Sequence, residues 1–306
     1  MRTASTLVLA ALAPLGAALA QQKVDIVRAS TNNVSVRLSG ALGQVKITAW
    51  DKDSVALTGG LGAGSRLEGG PYLNQGMKFT VDVPPVSGMK FFVEASDEAA
   101  LRTNKLEVHV PRNARVWIKT GSADIEANGV TGGLDLNIVG GSVRVNAKPR
   151  ELIIESMDGP VWFTGYAEFA RIKTATGDIN LQGAGDDINA TSISGAVVVS
   201  PSAAGACQRG RFETVTGPIT FAADVARGGN VRFDSHSGAI ELRLLRPFNA
   251  EFDIETITGS IENAYSPSRP TSGREGRGAS LNISSGQGGA SVVVRSFKGN
   301  VKLTTR

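Results

Sequence analysis

One pattern governs what this chain can fold into: a glycine, one variable residue, then Ile or Val, returning at long and regular intervals. The unit stands at Gly141-Ser142-Val143, Gly159-Pro160-Val161, Gly177-Asp178-Ile179, Gly195-Ala196-Val197, Gly217-Pro218-Ile219, Gly238-Ala239-Ile240, Gly259-Ser260-Ile261 and Gly299-Asn300-Val301, with Ala123-Asp124-Ile125 as an upstream copy that lacks the glycine. From 123 to 195 every step is 18 residues; the next steps are 22, 21 and 21, and the last, of 40, leaves room for two turns of chain and a loop. A period of this length marks like supersecondary units that bury their apolar faces by stacking.

Aligned on the glycine, the copies form columns of uniform chemistry. Two positions after it stand Ile125, Val143, Val161, Ile179, Val197, Ile219, Ile240, Ile261 and Val301. Five positions before it stand Ile118, Leu136, Ile154, Ile172, Ala190, Phe212, Phe233, Ile254 and Val294. Polar residues alternate with these, as in Arg232-Phe233-Asp234, so each copy supplies two short strands with one face inward. Stacked copies would pair at about 4.8 Å per level, giving a column on the order of 45 Å for about ten coils. The sequence therefore predicts an all-β, single-stranded β-solenoid with coils of about 18–22 residues. The residue after the glycine is turn-like, and Pro160 and Pro218 there have no N–H for a ladder, which places a corner at this point. The glycine is read as the residue that tolerates the restricted or positive φ of that corner.

Flanking segments divide the chain. Residues 1–20 have the form of a secretory signal peptide, with Arg2, an apolar run from Leu7 to Ala13 and Ala18-Leu19-Ala20 before Gln21. Residues 21–112 keep alternating strands such as Val34-Ser35-Val36-Arg37-Leu38 with a looser period, as a cap or as less regular first coils. Residues 113–306 are the solenoid. Loops are predicted over 59–76, 201–210 and 263–278, and a turn or two of helix around Asp97 to Arg102. No later stretch approaches the roughly twenty apolar residues of a membrane helix. The single cysteine, Cys207, has no intramolecular partner and is a free thiol or a link between chains. The formal charge is +4, and basic residues are interleaved with acids while aromatics are only 6%, which is not the footprint of a nucleic-acid binder.

The recurrent strings Thr174-Ala175-Thr176-Gly177-Asp178-Ile179, Thr214-Val215-Thr216-Gly217-Pro218-Ile219 and Thr256-Ile257-Thr258-Gly259-Ser260-Ile261 resemble those of the bacterial candidate-adhesin family of β-strand-repeat proteins, a domain of unknown function. Gly43-Gln44-Val45-Lys46-Ile47-Thr48-Ala49-Trp50-Asp51, followed by Val55-Ala56-Leu57-Thr58-Gly59, is similar to the segment before the repeats in such proteins. The resemblance implies an exported β-solenoid without established enzymatic activity, and it transfers no binding residues.

Candidate sites follow from the columns. Glu213, Asp234 and Glu255, four positions before the glycine, place like charges on consecutive copies, with Glu241 and Glu262 beyond the corner. Such carboxylates can hold Ca²⁺ or a sugar, or act as acid and base on a polysaccharide. Arg211 and Arg232, two residues earlier, favour instead a charge-balanced face. Hydroxyls recur three and one before the glycine, as in Thr174 and Thr176, the layout of an ice-binding array; their parity matches the inward residues and points instead to bonds with turn backbone. His109 and His236 have no neighbours at metal-ligand spacing, no cofactor motif emerges, and Trp50, Trp117 and Trp162 are read as packing residues. Arg269, Arg274 and Arg277 mark the 263–278 loop as a partner contact. The favoured function is a non-catalytic exported module of the cell envelope, periplasmic or at the surface, that is structural or adhesin-like and meets an envelope protein or polysaccharide. The alternative is a carbohydrate-active β-helix, with ice binding third.

Overall fold

The structure, a computed structural model, describes residues 22–73, 87–246, 248–273, 276–287 and 289–306. The signal-peptide segment 1–20 and Arg274 lie outside the described residues. The chain winds as an all-β solenoid in which each coil is a first arm, a corner at the repeat glycine and a second arm. Both arms pair in parallel with the coils above and below. Val143 is in register with Ile125 and Val161, Val161 with Ile179, and Ile154 with Leu136 and Ile172. Every member of the column five before the glycine is 0% exposed, and those of the column two after it are at most 9% exposed. The two columns face each other across the interior, and Phe212, Phe221 and Phe233, with ring centroids 5.1–5.6 Å apart, fill the wider coils whose step is 21 or 22 residues.

The corner has a different cause from the one read in the sequence. Of the repeat glycines only Gly141 has a positive φ, +98°. What the others share is a close approach to the carbonyl of the preceding level. A Cβ on Gly159 would lie 1.7 Å from the Gly141 oxygen, one on Gly217 2.0 Å from that of Gly195, and one on Gly238 1.8 Å from that of Gly217. Glycine is needed here because backbones nearly touch, not because of φ. The hydroxyl three positions earlier points inward and closes the turn. Thr174 Oγ1 donates to the Gly177 carbonyl (2.5 Å), Ser235 Oγ to that of Gly238 (2.8 Å) and Ser296 Oγ to that of Gly299 (2.8 Å). These buried hydroxyls thus have partners, as burial demands. The N–H of the residue after the glycine is met by a side chain one level away: Ala196 donates to Asp178 (2.8 Å) and Ser260 to Asn300 (3.0 Å). Where that residue is Pro160 or Pro218 there is no N–H to satisfy, and the preceding copies carry Ser142 and Ala196 in place of a carboxylate.

Spatial order departs from chain order at both ends. The arms Ala290–Ser296 and Val301–Thr305, the last in sequence, lie between those of the Gly238 coil, Val225–Ser235 and Ile240–Leu244, and those of the Gly259 coil, Ala250–Thr256 and Ile261–Asn263. The glycine column repeats this order, since a Cβ on Gly299 would strike Gly238 and one on Gly259 would strike Gly299. The Gly259 coil is then covered by Ala279–Ser285, antiparallel to Ala250–Thr256. At the other end, Ser35–Gly40 and Gly43–Trp50 lie between Arg115–Asn128 on one side and Ser87–Ala95 and Lys105–Pro111 on the other. Antiparallel strands Ser54–Leu61 and Ser65–Leu73 cover the outer coil, and Gln22–Ala29 adds to the first of them. Each end therefore locks an early or late coil one level inside; antiparallel strands cover both arms of the outer coil at the first end and the first arm at the other, where Ile261–Asn263 pairs only with Val301–Thr305 among the described residues.

Of the predicted loop 59–76, residues 74–76 lie outside the described residues and the rest is largely strand: Ser65–Leu73 pairs along its length with Ser87–Ala95. Helix Glu98–Thr103 is capped by Asp97, whose carboxylate accepts the Ala100 N–H (2.8 Å). Asn104, fully buried, ties the helix exit to the cap by accepting from the Gly62 N–H and donating to the Ala41 carbonyl, both at 2.8 Å.

Candidate functional site

At the corner the chain reverses the direction of its side chains. The residue three before the glycine is buried and the residue one before it is exposed, so Thr174 points inward and Thr176 outward. A flat array of paired hydroxyls, as ice binding requires, is therefore not formed. The residue between them, two before the glycine, stands out on the crest of the corner. That column reads, in spatial order, Val139, Met157, Ala175, Ile193, Val215, His236, Phe297 and Ile257. Val139, Met157, Ile193, Val215, Phe297 and Ile257 are 44–55% exposed. Together they make an apolar ridge along the column, and His236 continues it by stacking on Phe297, with ring centroids 5.0 Å apart and planes 9° from parallel. An isolated exposed Ile needs no explanation, but a contiguous stripe does.

Beside the ridge runs a groove whose far wall is the outward column four before the glycine. Its larger section, about 540 Å³, is lined by Glu213, Asp234, Glu255, Arg295 and Thr191 on that wall, by Ser192, Thr214, Ser235 and Ser296 at its floor, and by the ridge from Ile193 to Ile257. A second section, about 410 Å³, continues it past Lys119, Asn137, Glu155 and Lys173 to Val139 and Met157.

The structure brings Glu213, Asp234 and Glu255 to one wall but not to consecutive levels. Insertion of the last coil sets Arg295 between Asp234 and Glu255, in register with both. Each carboxylate has an arginine. Arg211 meets Glu213 (Nη2–Oε1 2.5 Å), and Arg232 takes Asp234 in a fork (Nε–Oδ2 2.7 Å, Nη2–Oδ1 2.8 Å). Arg295 reaches Glu255 (3.7 Å) and also pairs with Asp253. The Asp234 hydrogen bonds hold the Arg232 guanidinium above its usual basicity. Among the described residues no three His, Cys, Asp or Glu are grouped as metal ligands. Glu241 is paired with Arg243 (2.7 Å), which lowers its pKa, and Glu262 with Lys302 (3.3 Å).

The remaining candidates lie apart from the groove. Arg269 and Arg277 are exposed on the 263–278 segment and make no ion pair among the described residues. That segment is anchored by Tyr265, whose hydroxyl accepts the Phe248 N–H (3.2 Å), and by Asn263, which bonds the Tyr265 and Ser266 N–H groups. Cys207 is buried, and burial pushes its thiol up to about 12. Trp50 donates to the Ser54 carbonyl (2.8 Å) beside His109, and Trp162 lies under Arg144 at 4.1 Å. Sequence reasoning did not read this column as a site. The signal was present, because the column two before the glycine is apolar at almost every copy while facing out.

The family comparison covers nearly the whole of the described fold. The model of Toastrack DUF4097 matches residues 21–304. No curated protein matches the chain. Among solved structures, it is similar to a candidate adhesin from Bacteroides fragilis at 11% identity, over 93% of this chain and 98% of that one, with a TM-score of 0.45. It is also similar to a candidate cell adhesion protein from Clostridium sporogenes at 9% identity, over 93% and 100% of the two chains, with a TM-score of 0.22. The repeat, the solenoid it builds and the matched span together place this chain in the Toastrack family DUF4097.

Proposed function

We propose that this chain is a non-catalytic module of the cell envelope, exported by the leader at residues 1–20, that presents its corner groove and its 263–278 loop to an envelope protein or polysaccharide. The observation that carries this reading is the state of the acidic residues on the groove wall. A general acid needs a carboxyl kept neutral by burial or by a like charge. Glu213, Asp234 and Glu255 are instead each held by arginine, and Arg295 separates two of them. Such a wall can recognise hydroxyls or charges, but it lacks an acid and base pair flanking a scissile bond. The carbohydrate-active reading keeps one feature, since Phe297 and His236 offer aromatic faces in the same groove. A sugar-binding surface uses such faces without any catalysis.

Three measurements test the proposal. The amino terminus of the chain recovered from an exporting host is expected at Gln21; a chain retained in the cytosol with Met1 intact refutes export. Co-sedimentation with isolated envelope is expected to weaken severalfold in an Arg269→Ala/Arg277→Ala variant and in a Phe297→Ser variant. Turnover of an envelope polysaccharide that Asp234→Asn abolishes would replace this reading with the enzymatic one.

A further inference from the structure

We propose that the apolar ridge is the interface of an antiparallel two-fold dimer of this chain. The inference goes beyond the envelope reading and gives the ridge a different occupant, so a dimer formed through it and an envelope ligand held in the groove beside it exclude each other. The two-fold axis would cross the ridge between the Gly195 and Gly217 levels. A two-fold axis perpendicular to the column sets like columns face to face with the levels reversed. Ile193 then meets Val215 of the second copy, Met157 meets Phe297, and Val139 meets Ile257. The shortest crest residue, Ala175, falls opposite His236.

The charges on the two columns that flank the ridge agree with that operator. On the wall four before the glycine, Glu155 comes to face Arg295 of the second copy, and Lys173 comes to face Asp234. On the column one before the glycine, Asp158 comes to face Lys298. All three pairs are of opposite sign, and the two-fold makes each occur twice. A parallel pairing, with the axis along the column, fails the same test: it sets Glu155 against Asp158 and Arg295 against Lys298, like on like. Glu155, Lys173 and Lys298 make no ion pair within the chain among the described residues. Eight levels at about 4.8 Å give a ridge about 38 Å long, and a strip roughly 15 Å wide would bury about 600 Å² per copy. That is the lower end of what a specific dimer buries, so micromolar association is expected.

Sedimentation of the chain from Gln21 onward, across roughly 1–200 μM, is the test. A monomer–dimer equilibrium in the micromolar range is expected. Asp158→Lys and Lys298→Asp should each weaken it about tenfold or more, because each sets like charges together twice. The double variant Asp158→Lys/Lys298→Asp should restore association to within about threefold of the parent chain. Both residues are exposed, so all three variants should melt within about 2 °C of the parent, which separates interface effects from folding. A chain that stays monomeric throughout, a dimer indifferent to both single changes, or a double variant that fails to recover would each overturn the proposal.

Discussion

Replacing Gly217 by Ala adds one methyl group and should cost far more than its size suggests. The new Cβ would sit 2.0 Å from the Gly195 carbonyl oxygen and 2.7 Å from its carbon, both backbone atoms with no rotamer to yield. Relief requires the two levels to separate by about 1 Å out of a spacing of about 4.8 Å. The ladder bonds on either side of the corner, Thr216 N–H to the Ile193 carbonyl and Val197 N–H to the Pro218 carbonyl, are both 2.9 Å and would stretch past hydrogen-bonding range. Two backbone bonds lost at about 1–3 kcal/mol each give a penalty of about 2–6 kcal/mol. For a chain of this size that lowers the melting temperature by roughly 5–15 °C. Gly121→Ala is the matched control, since nothing lies within 4 Å of its added Cβ and its φ is not positive. It should be neutral or slightly stabilising, by about 0.4–1 kcal/mol. Thermal melts by circular dichroism at one pH and salt compare them directly. Equal midpoints for Gly217→Ala and Gly121→Ala would refute the claim that inter-coil contact, and not local φ, demands glycine.

Other consequences are smaller in scope. Gly217→Val should melt well below Ser260→Ala, which loses only the exposed 3.0 Å bond to Asn300 and should cost under about 1 kcal/mol. Phe233→Ala, at the centre of the three-phenylalanine cluster, should cost about 3–5 kcal/mol in denaturant titrations. Cys207 should resist thiol reagents in the native state at pH 8 and react on unfolding. Because its folded pKa, about 12, is raised above the ordinary value of 9.0, stability should fall as pH rises between those values, and Cys207→Ala should remove that slope. Asp178→Ala should cost about 1 kcal/mol by orphaning the Ala196 N–H, an effect absent from a variant that also carries Ala196→Pro.

The core was legible in the sequence because a parallel stack repeats one chemistry at one register. Ile179 finds Val161 and Val197 at matching offsets, and no long-range pairing had to be guessed. The order of the coils at the ends was not legible for the same reason. Val301 fits against Ile240 as well as Ile261 does, so the columns carry no record of which copy sits next to which. The order shows only in the pairings: Ala279–Ser285 runs antiparallel along one side of Ala250–Thr256, and Ala290–Ser296 enters parallel on the other. The acidic site inherited that error: three carboxylates evenly spaced in sequence are interrupted in space by Arg295, whose coil comes last in the chain. The corner glycines were found for a partly wrong reason, since a close backbone approach and a positive φ leave the same mark in a sequence. The ridge was passed over because alternating parity explains an outward residue without asking whether it is apolar.

Placement of the last coil inside the stack is the claim on which the site's charges and the ridge's order both rest, and paired cysteines test it. In a Cys207→Ala background, Glu241→Cys with Lys302→Cys joins residues in register on adjacent levels, whereas Glu241→Cys with Glu262→Cys joins residues with Lys302 between them. Disulfides need Cα atoms within about 7 Å, which one level at about 4.8 Å allows and two levels at about 9.6 Å do not. Mild oxidation followed by mass spectrometry should show the 241–302 link and not the 241–262 link. The opposite result would mean that the coils stack in chain order and that the last one lies on the end.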